Sequence, residues 1–296
     1  MNADFQGWVA TGQSNFEEIL RRLLPSTETA PKRLHEAMRY TALDGGKRVR
    51  PLLAFAAGEL SGANLERVEI VAAAVELIHV YSLVHDDMPC MDDDVLRRGK
   101  PTCHIQYDDA TALLVGDSLQ TMAFQLLAEH RLSDDPQRQL EMIKVLAVAS
   151  GSRGMAGGQA ADLDSIGKSL TLPELEFMHI HKTGALIRAA ILLGAHCGNL
   201  SKVKLDKLDH FGKLIGLAFQ VVDDVLDCEA DTATLGKTAG KDGNNDKPTY
   251  VSLLGIPGAR DMAQDLHREA LDTMEDFGIL GQRLCDLADF IVMRKY

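Results

Sequence analysis

The segment "IVAAAVELIHVYSLVHDD", Ile70 to Asp87, is apolar along most of its length and ends in two aspartates. It lacks the period-two alternation of a half-buried strand, so we predict a helix over 65–88. Glu76 and His79 interrupt the apolar run, which falls short of the roughly 18 to 20 residues that span a bilayer. We therefore expect no membrane span. One face of this helix should carry His79, Ser82, Leu83 and Asp86.

Similar amphipathic or apolar segments recur along the whole chain. In the first, "SNFEEILRRLL", Ser14 and Glu17 have the spacing of a capping box, so we expect a helix to begin there. No linker, change of composition or internal repeat divides the chain, which favours a single domain over 1–296. We predict an all-α fold, with further helices at 31–44, 48–60, 108–131, 136–150, 173–197, 201–228, 258–276 and 280–294.

Composition and charge indicate which partners and which cellular compartment to expect. The 296 residues are 46% hydrophobic and 25% charged, with a formal net charge of −12. Because a nucleic-acid surface needs a basic face, we expect no nucleic-acid partner. The N-terminal "MNADFQGW" lacks the features of a signal peptide, and the five cysteines form no CxxC pair. Free thiols in a reducing compartment fit this pattern, so we expect a cytoplasmic location.

Five aspartates occur within nine residues in the stretch "HDDMPCMDDDVLRRG", which begins at His85. Asp92 follows Asp86 by six residues, a spacing that is out of phase on a regular helix. Pro89 also removes a backbone donor between them. We therefore expect the helix to end or bulge near Met88, and irregular backbone to bring Asp92 back toward Asp86.

A second acidic group, in "FQVVDDVLD", falls on one helical stripe. With spacing i, i+3, i+4 and i+7, the stripe consists of Gln220, Asp223, Asp224 and Asp227. A solvated helix face would explain either acidic group alone, but carboxylates among apolar residues are costly without a partner. Oxygen ligands without flanking histidine or cysteine favour hard cations, and the calcium-loop spacing is absent. We therefore predict that Mg²⁺ is the cofactor.

Two basic clusters accompany the acidic groups. Lys47, Arg48 and Arg50 occur in "DGGKRVRP", and Arg97 and Arg98 follow the first aspartates. Each cation alone could be an ordinary surface charge. However, protein-bound Mg²⁺ commonly shares its ligands with substrate phosphates, and the planar guanidinium suits phosphate oxygens. The combination predicts a metal-assisted site for phosphorylated substrates.

The polar segment 229–247 is long for a loop inside a compact domain, and such loops are usually lids, binding loops or disordered segments. Its Gly-Lys-Thr tripeptide at 236–238 lacks the preceding strand and the glycine spacing of a P-loop. We expect this segment to close over the substrate phosphates as a lid.

Taken together, these motifs resemble the trans-isoprenyl diphosphate synthase family. The likeness begins with "GGKRVRP", the Asp-Asp-x4-Asp group with its two arginines, and the later Asp-Asp-x-x-Asp group. It continues through "GDSLQT", "GMAGGQAADL", "HKTGALI" and "GKTAGKD", in order and over nearly the whole chain. The two acidic motifs in this order are highly specific. The insert in the first motif and the chain length are most similar to bacterial enzymes that make farnesyl diphosphate.

The resemblance implies an isoprenoid-synthase-type bundle of about ten helices or more around a deep central cavity, assembled as a homodimer. It implies head-to-tail prenyl transfer, in which isopentenyl diphosphate is condensed with dimethylallyl and then geranyl diphosphate. The products would be (2E,6E)-farnesyl diphosphate and diphosphate, formed by Mg-assisted ionisation, condensation and proton loss. Synthesis of geranylgeranyl or geranyl diphosphate is the alternative within the family.

The resemblance also implies residue roles. About three Mg²⁺ ions per site would be held by Asp86, Asp92 and Asp223. Isopentenyl diphosphate would be bound by Lys47, Arg50, His79 and Arg98. The allylic diphosphate would be bound by Arg97, Lys182 and Lys237. The catalytic set would be Lys182, Thr183 and Gln220, the last two presenting oxygens to the allylic cation. Bulk at Tyr81 and Ser82 would limit the length of the product.

A di-iron carboxylate helical bundle is the alternative from another class of protein. Glu76 with His79, and Glu176 with His179, form Glu-x-x-His pairs on predicted helices, as such bundles require. That interpretation leaves the two aspartate groups and the paired arginines unexplained.

Overall fold

The computed structural model describes residues 3–229 and 248–294. The helices of this part are α1 (Ala3–Leu23), α2 (Lys32–Ala42), α3 (Val49–Ser61), α4 (Leu65–Asp86), α5 (Cys103–Gln106), α6 (Asp109–Glu129), α7 (Pro136–Ser150), α8 (Met155–Ser165), α9 (Leu172–His179), a π-helical turn (Ile180–Gly184), α10 (Ala185–His196), α11 (Lys202–Glu229), α12 (Tyr250–Met274), a 3₁₀ segment (Glu275–Gly281) and α13 (Gln282–Val292). A short antiparallel hairpin pairs β1 (Leu96–Arg97) with β2 (Lys100–Pro101). The predicted all-α fold is confirmed.

Local sequence signals account for several helix starts. The side chain of Asn64 caps α4 by accepting the backbone N–H of Glu66 at 2.8 Å, and Asp135 caps α7 in the same way. Such caps satisfy amides that have no partner within the helix. The expectation for the first helix is wrong, because α1 begins at Ala3 and Ser14 lies inside it.

Helix α4 forms the centre of the bundle and contacts α3, α6 and α10. Val71, Leu77 and Ile78 are fully buried in it. By length and composition α4 could cross a membrane, because an 18-residue window within it has a mean hydropathy of 1.5. However, 72% of this window is buried inside the protein. Since the core helix of a bundle passes the same test, this is weak evidence for a membrane span.

Helix α10 connects the two halves of the bundle, because it contacts α4 on one side and α11 on the other. Its close approach to α3 depends on Gly194, where a Cβ atom would lie 2.2 Å from the carbonyl oxygen of Ala54. Helix α12 packs along α11. The two acidic groups therefore lie at the carboxyl-terminal ends of α4 and α11, two helices that α10 links.

Candidate active site

A cavity of about 520 Å³ opens where α3, α4, α6, α8 and the π-helical turn meet. A larger groove of about 710 Å³ lies between α1, α3 and α4, but none of the predicted site residues lines it. The smaller cavity is therefore the candidate site. It brings together these predicted residues: Arg50, His79, Tyr81, Ser82, Asp86, Lys182 and Thr183.

The first acidic wall forms where α4 ends. The backbone N–H of Asp92 donates to the carbonyl oxygen of Asp86 at 2.8 Å, so the chain folds back after Pro89 as the sequence predicts. Gln159 of α8 donates from Nε2 to Asp86 Oδ1 at 2.5 Å. This hydrogen bond fixes the orientation of the Asp86 carboxylate at the mouth of the cavity.

Asp87 has a different environment from Asp86. It is buried, and its carboxylate oxygens accept hydrogen bonds from Nε of Arg97 at 2.8 and 2.7 Å. Burial raises the pKa of Asp87 above its usual value, against the opposing effect of Arg97. Arg97 lies outside the cavity lining and instead lines a small pocket with Arg98 and Lys100. The guanidinium of Arg97, predicted to bind the allylic diphosphate, is thus paired with Asp87 and does not line the cavity.

The second acidic wall is the predicted stripe on α11. Asp223 keeps 44% of its side chain exposed and pairs with Arg294 at 2.5 Å. Asp224 is buried, and its two oxygens accept hydrogen bonds from Gln220 Nε2 at 2.9 Å and from the backbone N–H of Tyr250 at 2.8 Å. Neighbouring aspartates thus differ: Asp223 is partly exposed and pairs with Arg294, whereas Asp224 is buried and orients Gln220.

The π-helical turn presents the predicted catalytic side chains. Thr183 Oγ1 donates to Gln220 Oε1 at 3.0 Å, and Lys182 Nζ lies 2.6 Å from Asp162 Oδ2. The turn can approach α11 because Gly216 has no side chain: a Cβ there would be 2.7 Å from the Cα of Gly184. A close backbone contact therefore sets the Thr183–Gln220 pair.

Three predicted cations, Lys47, Arg50 and Arg98, form the basic side of the site together with the imidazole of His79. Burial lowers the pKa of Arg50 and lowers that of His79 well below its ordinary value, and the positive charge of Arg98 lowers both further. Partial loss of hydration also lowers the pKa of Lys47 and of Arg98. Because like charges are crowded here, an anion bound among them would be strongly favoured.

The acidic residues suit a hard divalent cation. Asp86, Asp92 and Asp223 offer oxygen ligands only, the type that Mg²⁺ prefers. Within residues 3–229 and 248–294, no group of three or more His, Cys, Asp or Glu side chains is arranged to hold a metal ion. Mg²⁺ commonly completes its coordination shell with water and substrate oxygens rather than with protein ligands alone.

The geometry does not favour the di-iron interpretation. A di-iron centre is built mainly from converging protein ligands, but Glu76 is occupied in an ion pair with Arg48 at 2.7 Å. His179 is buried against the ring of Tyr250, with ring centroids 5.3 Å apart. Glu76 thus balances the charge of Arg48, and His179 serves in packing.

Some site residues were not identified from the sequence. Gln159 and Asp162, three residues apart on α8, hold Asp86 and Lys182; this i, i+3 spacing in "GGQAAD" was an available signal. Arg294 pairs with Asp223 across 71 residues of sequence, and no local pattern indicates that contact. Predicted Lys237 lies outside the described residues.

Comparison with known proteins places this site in a family. Residues 31–277 match the family model for polyprenyl synthetase. The chain is 46% identical over 285 residues to farnesyl diphosphate synthase of Haemophilus influenzae, covering 96% of each protein. It is 50% identical over 265 residues to farnesyl diphosphate synthase of Escherichia coli, covering 88% of this chain and 89% of that protein. A chloroplastic geranylgeranyl pyrophosphate synthase of Capsicum annuum is 47% identical over 266 residues, covering 89% of this chain and 72% of that protein.

Solved structures agree with the sequence matches. An FPP/GFPP synthase from Zymomonas mobilis superposes with a TM-score of 0.90 at 41% identity, covering 99% of this chain and 100% of that one. A geranyltransferase from Helicobacter pylori, complexed with magnesium and isoprenyl diphosphate, superposes with a TM-score of 0.88 at 33% identity, covering 99% of each chain. The family match spans most of the chain and includes both acidic walls. This protein therefore belongs to the polyprenyl synthetase family.

Proposed function

We propose that the protein is a prenyltransferase that condenses isopentenyl diphosphate with an allylic diphosphate, first dimethylallyl and then geranyl. The products are (2E,6E)-farnesyl diphosphate and diphosphate. One observation carries the proposal: the lining of a single cavity has a carboxylate, Asp86, two cations, Arg50 and Lys182, and the imidazole of His79. Such a cavity suits a substrate with an apolar chain and a diphosphate head.

Magnesium is the proposed cofactor, with about three ions per site held by Asp86, Asp92 and Asp223 together with diphosphate oxygens. The magnesium and isoprenyl diphosphate of the Helicobacter pylori relative support this assignment. When bound, Mg²⁺ neutralises the charge of the departing diphosphate as a Lewis acid. The carboxylates supply hard oxygen ligands, and Gln159 keeps the Asp86 carboxylate in place.

The cations divide between the two substrates. Lys47, Arg50, His79 and Arg98 bind isopentenyl diphosphate in this proposal. A diphosphate among them would relieve the mutual repulsion that lowers the pKa of Arg50 and His79 after burial. Lys182, which Asp162 holds in place at 2.6 Å, binds the allylic diphosphate with Arg97 and Lys237.

Thr183 and Gln220 stabilise the allylic cation. The Thr183 hydroxyl donates a hydrogen bond to Gln220 Oε1 at 3.0 Å, so the lone pairs of the Thr183 oxygen remain available to positive charge in the cavity. The C–O bond of the allylic substrate breaks, the double bond of isopentenyl diphosphate forms the new C–C bond, and a proton is lost to a diphosphate oxygen. Leu83, Met155 and Leu163 line the cavity and reduce access of water to the cation.

Tyr81 and Ser82 set the length of the product in this proposal. Both line the cavity, and Tyr81 is only 8% exposed. The Tyr81 ring meets the ring of His85 edge to face, with centroids 5.8 Å apart. An aromatic side chain at this point of the cavity favours a C15 product over C20, the length made by the Capsicum annuum relative.

Product analysis tests the function directly. The purified protein is supplied with isopentenyl diphosphate, Mg²⁺ and either dimethylallyl or geranyl diphosphate, and the products are identified by mass spectrometry after dephosphorylation. We expect a C15 alcohol from both allylic substrates. Absence of condensation with both would overturn the proposed function, and a mainly C10 or C20 product would overturn only the assigned length.

A homodimer in the cytoplasm is the proposed assembly and location, with one domain per chain. Exposed apolar side chains support a dimer: Leu113 and Leu114 on α6 are 47% and 53% exposed. Light scattering should give twice the chain mass of 32.3 kDa. A Leu114→Glu variant should shift the mass toward that of one chain, and a monomeric wild type would contradict the proposal.

A further inference from the structure

Arg48 differs from the other cations of "GGKRVRP" because its side chain points away from the cavity. Only 1% of that side chain is exposed. Its guanidinium donates to Glu76 Oε1 at 2.7 Å, to Glu17 Oε1 at 2.9 and 2.5 Å, and to the carbonyl oxygen of Ala42 at 2.7 Å. The residue is anchored to α1, α2 and α4 at once.

The loop before α3 has an unusual backbone. Asp44, Gly46 and Arg48 all have positive φ, at 58°, 96° and 51°. Non-glycine residues adopt this conformation only when their surroundings hold them in it. Glu17 supplies part of that hold, since its Oε2 accepts the backbone N–H of Asp44 at 3.1 Å while its Oε1 accepts from Arg48.

This loop carries or contacts three of the proposed isopentenyl diphosphate ligands. Lys47 precedes Arg48, and Arg50 lies in the first turn of α3. Arg98 reaches the loop from the hairpin and donates from Nη1 to the carbonyl oxygen of Gly45 at 2.9 Å. Its guanidinium lies so close to the loop that a Cβ on Gly46 would be 2.7 Å away.

Glu76, which binds Arg48, also acts electrostatically on the cations of the site. It lies one helical turn before His79 on α4 and is almost fully buried. Its negative charge raises the pKa of Arg50 and of Arg98, opposing the effect of burial on both. The carboxylate that fixes Arg48 therefore also offsets repulsion within the cluster.

We infer that Arg48, held by Glu17 and Glu76, is a positioning residue that presents Lys47, Arg50 and Arg98 to the diphosphate of isopentenyl diphosphate. The inference rests on the proposed function. It assigns no contact between Arg48 and substrate. It predicts that loss of the anchor weakens binding of isopentenyl diphosphate far more than binding of the allylic substrate, because Lys182 and Asp86 lie outside the loop that Arg48 holds.

The test compares Arg48→Met and Glu76→Gln with a matched control. Arg22 and Glu69 form another ion pair between α1 and α4, at 2.7 Å, which does not involve the loop. Steady-state constants are measured for both substrates in Arg48→Met, Glu76→Gln and the control Arg22→Met. In both test variants we expect KM for isopentenyl diphosphate to rise about tenfold or more, with KM for geranyl diphosphate within about twofold. The control should keep both constants.

Two results would overturn the inference: an unchanged KM for isopentenyl diphosphate, or an equal rise for both substrates. If Arg48→Met does not fold, Glu17→Gln decides in its place, because Glu17 is more exposed than Glu76 and its loss leaves the Arg48–Glu76 pair intact. Calorimetric titration of Glu17→Gln with isopentenyl diphosphate should then show weaker binding. Failure of the wild type to condense the substrates would instead refute the proposed function.

Discussion

Asp86 and Asp223 have a similar setting on two different helices. Each lies near the carboxyl-terminal end of a long helix, and each accepts a hydrogen bond from a side chain distant in sequence, Gln159 or Arg294. Neither carboxylate is in the core, so replacing it should change chemistry more than folding.

We expect Asp86→Ala and Asp223→Ala to lower Mg²⁺-dependent turnover by at least about 100-fold, because each removes a proposed metal ligand. Circular dichroism should show a retained fold. Asp265→Ala on α12, which removes an exposed carboxylate paired with Arg268, is the control and should keep its activity. Near-normal condensation by either test variant would refute the metal assignment.

Tyr81 determines product length if the cavity is arranged as proposed. Removing the ring in Tyr81→Ala should extend the product to C20 or beyond, because a longer chain then fits past this point. Tyr81→Phe keeps the bulk and should still give C15. Chromatography of the dephosphorylated products measures both, and a C15 product from Tyr81→Ala would exclude Tyr81 as the limit.

At the level of elements, the contact between α11 and the π-helical turn sets the spacing of Thr183 and Gln220, the proposed cation-stabilising pair. In Gly216→Ala the new Cβ would press on Gly184, whose Cα is 2.7 Å from that position. The Thr183–Gln220 pair should separate, and turnover should fall about 10- to 100-fold. Gly7→Ala on α1 meets no atom within 4 Å and is the control. Equal activity of the two variants would show that this contact is not critical.

Sequence periodicity predicted the helices well where the signal is local. The stripe on α11 and the return of Asp92 toward Asp86 both follow from spacing along a helix and from Pro89. The prediction over 173–197 missed a π-helical turn, which packs against α11 and which helical periodicity does not distinguish from an α-helix. The start of α8 at Met155 was hidden by its glycines, which weaken any helix signal.

The sequence identified the charged residues of the site more easily than it indicated which of them are buried in salt bridges and which line the cavity. The sequence placed Arg48 and Arg50 in one basic cluster, yet Arg48 is buried in a salt bridge and Arg50 lines the cavity. The positive φ of Arg48, at 51°, turns the chain immediately before α3 and sends the side chains of Arg48 and Arg50 in different directions. No periodic pattern records which way a side chain leaves an irregular loop.

The whole molecule should lose stability on acidification, partly through His179. Burial lowers the pKa of His179 from 6.5 to about 4. Between these values the unfolded chain binds a proton that the folded protein does not, so the free energy of unfolding falls as pH falls. From pH 7 to pH 5 the wild type should lose about 2 kcal/mol more than His179→Leu, as measured by urea unfolding. An equal decrease in the free energy of unfolding of both proteins would contradict this role of His179.

Helix α4 has a consequence for how the chain reaches its folded state. Its 22 residues are long and apolar enough for a membrane segment. In the folded protein α3, α6 and α10 cover this apolar surface. During synthesis or refolding, this apolar surface is exposed to other chains and to lipid before those neighbours pack. The yield of refolded protein should therefore fall as chain concentration rises, and chaperones that shield apolar segments should restore it.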